Sequence, residues 1–226
     1  MSGLFITGAG TEIGKTFVTC ALAHQLGEAD RDVQVLKPVI TGYDPANPAD
    51  SDSGRLLAAV GLTPTDEMVG EISPWRYAAP IAPNMAARLE QRPIDLGAVA
   101  TFCRDALAEA VGVTLIEGVG GVMAPITDDH TVLDWIAALP CPALLVSGSY
   151  LGAISHVLTA AAVLESRGIV LAGVVISESP DNPVPLAETV ACVARLLPRA
   201  RIVAVPRLRS YRDAPDLLGF LDQHQP

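Results

Sequence analysis

Aromatic side chains are scarce in this chain, at 4% of its 226 residues, and lysine and arginine are few, 15 against 25 acidic residues. A net charge of −10 lacks the basic footprint that a phosphate backbone demands, so a general nucleic-acid binder is excluded. No apolar run approaches the roughly 18 residues of a membrane span; the longest clean one, residues 169–175, has the length of a strand, and no membrane partner is expected. Cys20, Cys103, Cys141 and Cys192 are widely spaced, form no C-x-x-C pair and read as small buried thiols, which argues against a disulfide framework or a zinc site. His24, His130, His156 and His224 show no metal-ligand spacing. The first strand opens within a few residues of Met1, leaving no room for a targeting segment, so a cytoplasmic location is expected.

What remains is 50% hydrophobic, drawn mainly from Ala, Val, Leu and Ile, as in strands buried on both faces of a parallel sheet. The length suits one α/β domain spanning residues 1–226.

Residues 4–22 hold an apolar run, a glycine-rich turn, Lys15-Thr16, and apolar residues at helical spacing. That order is a strand, a phosphate loop and a helix: Gly8, Gly10 and Gly14 let the backbone curl with its N–H groups inward, and the helix aims its positive end at the same point. Lys15 would reach the β- and γ-phosphates, and the Thr16 hydroxyl would ligate a bridging magnesium ion. The usual phosphate-loop spacing would require glycine at Ala9; here the glycine is Gly8, five residues before Gly14.

Further strands are expected at Val33–Leu36, 113–116, 143–146, 169–176 and Ile202–Val205. Helices are expected at 52–60, 85–90, 96–111, 131–139, 153–167 and 185–196, with a proline-rich connection over 63–83. This alternation predicts a mainly parallel sheet with helices on both faces, the phosphate-loop NTPase type, whose ligands collect at the carboxyl edge. The phosphate loop, Lys37, Glu117, the 148–152 turn and Ser177 each follow a different strand, so they are expected to converge on one cleft. Glu117 suits a magnesium ligand; Asp52, at a helix start, is equally a metal ligand or a cap. The serine of Gly148-Ser149-Tyr150-Leu151-Gly152 is second rather than central, which excludes a nucleophile elbow.

The chain resembles dethiobiotin synthetases in Thr7-Gly8-x-x-Thr11-Glu12-Ile13-Gly14-Lys15-Thr16, Lys37-Pro38-Val39, Asp52, Pro80-x-x-Pro83, Arg92-Pro93-Ile94, Glu117-Gly118-x-Gly120-Gly121, Leu151-Gly152-x-Ile154-x-His156 and Ala172-Gly173. The resemblance implies a homodimeric ligase that uses MgATP to carboxylate 7,8-diaminopelargonic acid with CO2 and close the ring, through a carbamate and a carbamic-phosphoric anhydride. It implies catalytic roles for Lys15, Lys37 and Thr11, and magnesium ligation by Thr16, Asp52 and Glu117. Nucleotide contacts would come from Glu12, Ile13, Gly14, Lys15, Thr16, Phe17, Asp52, Glu117, Gly118, Val119, Gly120, Ser177, Glu178, Pro206, Arg207 and Leu208. Substrate would meet Thr41 and, across the dimer interface, the N–H groups of Gly152, Ala153, Ile154 and Ser155.

In three places the chain departs from that family: Thr41 replaces a common serine, Asn84 a frequent histidine, and Ser177-Glu178 the usual Asn-Asp facing adenine. The alternatives are a ParA/MinD-like regulatory ATPase, whose extra lysine early in the loop has no counterpart before Lys15, and a cobyrinate amidase-type synthetase domain, whose attached glutaminase would need more chain.

Overall fold

The computed structural model describes residues 3–222; the expectation about His224 lies outside them. Strand β1 (Gly3–Gly8) leads through the phosphate loop into α1 (Lys15–Glu28) and back to β2 (Val33–Leu36). A short strand β3 (Val39–Thr41) and helix α2 (Asp52–Ala59) follow. The proline-rich stretch is more ordered than the sequence suggests: α3 (Asp66–Ile72) and β4 (Trp75–Tyr77) lie within it, before α4 (Pro83–Leu89) and α5 (Leu96–Glu109). β4 pairs in parallel with β3, and this long-range pairing, rather than local propensity, holds both three-residue strands.

The remaining elements alternate: β5 (Val113–Glu117), α6 (Val132–Ala137), β6 (Ala143–Ser147), α7 (Ala153–Ser166), β7 (Leu171–Ser177), α8 (Leu186–Leu196) and β8 (Ile202–Val205), ending in a short helix α9 (Gly219–Asp222). Thr131, expected inside a helix, instead caps α6 in a box with Asp134.

The main sheet has the order β2-β5-β1-β6-β7-β8 and every pair in it is parallel. Leu4, Phe5, Ile6, Leu115, Ile116, Leu144, Leu145 and Val146 are wholly buried, which is why the strands read as unbroken apolar runs. Phe5 meets Trp135 of α6 edge-on, with ring centroids 4.9 Å apart. From β1 the chain winds outward to β2, returns to β5, then crosses β1 to β6 and winds outward the other way. The winding reverses around β1, and the crevice so created opens at its carboxyl end, on the phosphate loop.

The C-terminal segment is strapped to α1. The Gln25 side chain donates to Pro215 O at 2.9 Å and accepts from Leu217 N at 2.9 Å, while Leu217 and Phe220 are wholly buried. Phe220 explains Gly173, since a Cβ there would lie 2.3 Å from its ring. Cys20 and Cys103 are buried as expected, but Cys141, just before β6, and Cys192, within α8, are only half-buried. Among the described residues no helix is long and apolar enough to cross a membrane.

Candidate active site

The loop after β1 turns on Glu12 at φ 56° and Gly14 at φ 94°, the left-handed region in both cases. Gly14 is irreplaceable on two counts: its φ disfavours any side chain, and a Cβ would sit 2.7 Å from Ser177 Oγ. No side chain caps α1 at Gly14, so its first N–H groups are available to an anion. Lys15 is 8% exposed and its Nζ donates to Gly10 O at 2.9 Å, folding back over the loop it follows. Burial, and then the charge of Lys37, pull the Lys15 pKa down to about 8.

The register of the sheet brings Lys37 and Glu117 together: Leu36 pairs with Ile116, and each chain then adds one polar residue. Lys37 Nζ lies 2.5 Å from Glu117 Oε1 and 3.2 Å from Asp52 Oδ2, and it also reaches Gly118 O at 3.3 Å. Burial alone would lower the Lys37 pKa, but the two carboxylates outweigh it and hold the ammonium charged above the ordinary lysine value. Burial likewise opposes ionisation of Asp52, yet Lys37 keeps its pKa below the usual value. Thr16 Oγ1 donates to Glu117 Oε1 at 2.8 Å. Asp52 is not the cap of its helix: Ser51 fills that role, accepting from Gly54 N at 2.9 Å. The aspartate is thereby free to face the cleft.

Lys15, Thr16, Lys37 and Asp52 line a cleft of about 500 Å³ with Thr11, Glu12, Ile13, Gly14, Phe17, Thr41, Val119 and Gly120, while Glu117, bonded to Thr16 and Lys37, is wholly buried and not among its walls. A second hollow of about 260 Å³ adjoins it, sharing Glu12, Ile13, Gly14 and Phe17 and walled by Ser177, Glu178, Pro206, Arg207 and Leu208. Gly118 contributes its carbonyl beneath Lys37. Gly152, Ala153, Ile154 and Ser155 line neither space; of the five strand ends expected to converge on one cleft, the phosphate loop and Lys37 line it, Glu117 is joined to it by its bonds to Thr16 and Lys37, and Ser177 lines only the adjoining hollow. The 148–152 turn is tied to the loop after β7: Ser149 N donates to Ser179 Oγ at 3.0 Å, Ser179 N to Ser149 Oγ at 2.9 Å, and Ser149 Oγ bonds Asn182. Arg55 and Ile40 also line the cleft, and sequence reading missed both. Helical spacing could have found Arg55, three residues beyond Asp52 and so on the same face.

The donor set fits a hard cation. Thr16, Asp52 and Glu117 offer oxygen only, and Glu117 Oε2 is buried without a hydrogen-bond partner. Two carboxylates and a hydroxyl suit magnesium, which completes its shell with water and phosphate oxygens.

A family model described as an AAA domain (AAA_26) matches residues 2–214. A relative from Caulobacter vibrioides, named ATP-dependent dethiobiotin synthetase BioD, is 45% identical over 98% of this chain and 99% of its own. Proteins of the same name from Methylobacterium nodulans and Acidiphilium cryptum are 48% and 44% identical, covering 92% and 99% of this chain and 94% and 98% of theirs. The chain belongs to the dethiobiotin synthetase family. Among solved structures, the MinC:MinD complex of Aquifex aeolicus matches with a TM-score of 0.55 at 14% identity, covering 92% of this chain and 83% of that one. A ParA family ATPase from Chlorobium tepidum matches at 0.54 and 13%, covering 92% and 85%. At such identities the likeness is one of fold, the phosphate-loop NTPase type that the alternation of strands and helices predicts.

Proposed function

We propose that this protein is an ATP-dependent dethiobiotin synthetase, a ligase forming C–N bonds, with 7,8-diaminopelargonic acid and CO2 as its other substrates. The observation that carries the reading is near-full-length identity of 44–48% to enzymes of that name, combined with Lys15, Thr16, Lys37 and Glu117 gathered at one phosphate loop. The chain is read as one nucleotide-binding catalytic domain, which the continuous sheet through Ile202–Val205 and the buried Leu217 and Phe220 support.

One amine of the substrate adds to CO2 and loses a proton, giving a carbamate. A carbamate oxygen attacks the γ-phosphorus of ATP and ADP departs, leaving a carbamic-phosphoric anhydride; the second amine then attacks its carbonyl carbon and gives up a proton, phosphate leaves, and the ring closes. No protein nucleophile enters this sequence. The residues supply charge and alignment instead. Thr11 and the N–H groups of residues 12–17 would cradle the phosphates, and Lys15 would neutralise the transferring group. Lys37 would meet the carbamate and the γ-phosphate, and Thr41 would orient the substrate amine. Gly118, Val119 and Gly120 would flank the triphosphate, while Ser177, Glu178, Pro206, Arg207 and Leu208 would wall the base.

Thr16, Asp52 and Glu117 would hold magnesium, which when bound offsets charge on the triphosphate. For both carboxylates to face a cation, Lys37 must loosen its grip on at least one of them. The second half of the reading is a homodimer in which the uncapped N-terminus of α7, at Gly152 to Ser155, binds the carboxylate of substrate lying in the partner's cleft. That none of these four residues lines the cleft of its own chain supports that arrangement. A cytoplasmic location completes the reading. The decisive experiment is incubation of the purified protein with diaminopelargonate, bicarbonate and MgATP, with dethiobiotin sought by mass; ATP turnover that proceeds without the diamine would refute it.

A further inference from the structure

Arg55 stands on the first turn of α2, three residues beyond Asp52, and lines the same cleft as Lys37, Ile40, Thr41 and Pro80. Its backbone is fixed from behind, because Cys20 Sγ donates to its carbonyl at 3.5 Å and the adjacent Leu56 and Leu57 are buried. Its side chain is exposed. Arg76, Arg88, Arg92 and Arg167 each pair with a carboxylate, respectively Asp66, Asp128, Glu90 and Asp134. No hydrogen bond or ion pair among the described residues engages the Arg55 guanidinium; its interaction with Asp52 is a longer-range attraction.

The other cations of the cleft already hold protein partners, which each must loosen to meet phosphate or carbamate, whereas Arg55 has none to release. Lys37 is held by Glu117 and Asp52, and Lys15 lies against Gly10 O over the phosphate loop. The base hollow lies beyond Glu12 and Phe17, lined by residues of the 177–180 and 206–208 loops, and Arg55 is not among its walls. Arg55 therefore belongs to the cleft that Lys37, Asp52 and Thr41 line and not to the base hollow. In that cleft the reaction proposed above would generate a planar, two-oxygen anion, the carbamate. A guanidinium matches such an anion with two parallel N–H groups and keeps its charge at any working pH.

We propose that Arg55 binds the substrate-derived carbamate through its paired oxygens and positions it for attack on the γ-phosphate. This rests on the dethiobiotin synthetase reading. The test compares wild type with Arg55→Ala and Arg55→Lys, and dethiobiotin formation by wild type in the same assay separates the two claims: no product from wild type sinks the reading itself.

With wild type active, Arg55→Ala should raise KM for the diamine by about tenfold or more and lower kcat, with Arg55→Lys intermediate and added guanidinium chloride restoring part of the Arg55→Ala rate. The affinity for a non-hydrolysable ATP analogue should stay within about twofold of wild type, and the melting temperature should be unchanged, since the side chain is exposed and unpaired. With 13C-bicarbonate and diamine, the bound carbamate carbon resonance should be weaker in the Arg55→Ala protein. Wild-type KM and kcat in Arg55→Ala would return the residue to the solvated surface. A loss of nucleotide affinity matching the loss of rate would show instead that Arg55 holds the triphosphate.

Discussion

Lys37 and Glu117 meet at 2.5 Å because they follow paired residues of adjacent parallel strands, Leu36 of β2 and Ile116 of β5. Both are almost wholly buried, so neither charge can turn to bulk water. A buried pair of this kind is weak as a source of stability, but removing one partner strands the other. Its value at this position lies in holding an ammonium ion, charged and aimed, at the floor of a phosphate site.

The Lys37→Gln variant separates these roles. An amide can still donate to Glu117 but carries no charge for the transferring group, so turnover should fall by at least about tenfold, roughly 1.4 kcal/mol on the barrier, with nucleotide binding largely kept. Steady-state rates and calorimetric nucleotide affinity check this together. An unchanged rate would leave Lys37 a purely structural counter-ion.

Lys15 gives a pH signature. In the free protein its pKa is about 8, so at pH 9 about nine-tenths of the molecules hold it neutral, against about one-tenth at pH 7. A triphosphate beside Nζ favours the charged form, and binding at pH 9 should therefore take up nearly one proton. Affinity should fall as pH rises through 8, by up to about tenfold per unit. Titrations in buffers of different ionisation enthalpy count the protons directly. Binding heats independent of buffer at pH 9 would mean that Lys15 is already charged in the free protein.

Much of this site is legible in the sequence because each component ends a strand, and strands buried on both faces announce themselves as apolar runs. Glu117 and Ser177 could be placed that way, since an apolar stretch stops at each. Asp52 could not be resolved, because helix-start aspartates serve as caps or as ligands alike; the Ser51 side chain bonding Gly54 N shows only that Asp52 is not the cap. The β3–β4 pair was invisible for another reason. Its strands are three residues long, lie among prolines, and exist through pairing between residues 36 apart in the chain, such as Val39 with Trp75. Helix α9 has only four residues and owes its place to Phe220 packing on Gly173.

The proposed dimer arrangement predicts complementation. Gly152 has φ 99°, which proline cannot adopt, so Gly152→Pro should spoil the N-terminus of α7 while leaving the cleft of its own chain intact. Lys15→Ala disables the cleft and leaves that helix start alone. Each variant should be inactive by itself, and mixed dimers should recover part of the activity through one intact composite site. Mixed dimers that form, by native mass spectrometry, yet show no activity would place the whole site within a single chain.

Recognition of the nucleotide base turns on hydrogen-bond inventory. Ser177 closes β7 beside Gly14 and lines the base hollow, where an asparagine could donate and accept together toward the N6 amine and N7 of adenine. A single hydroxyl cannot make that pair. Glu178 is little help, since its Oε2 accepts from Arg207 N at 2.8 Å and its Oε1 from Asn182 Nδ2 at 3.0 Å, bracing the two loops that wall the hollow. With one side chain limited and the other occupied, discrimination should be loose: ATP preferred over GTP or CTP by less than about a hundredfold, and Ser177→Asn improving the preference by about 1–2 kcal/mol. Calorimetric affinities of the three triphosphates for wild type and variant measure both quantities. Strict ATP selectivity in wild type, untouched by Ser177→Asn, would move base recognition to the backbone of residues 206–208, where Pro206 offers a carbonyl but no N–H, and Arg207 N is already bound to Glu178.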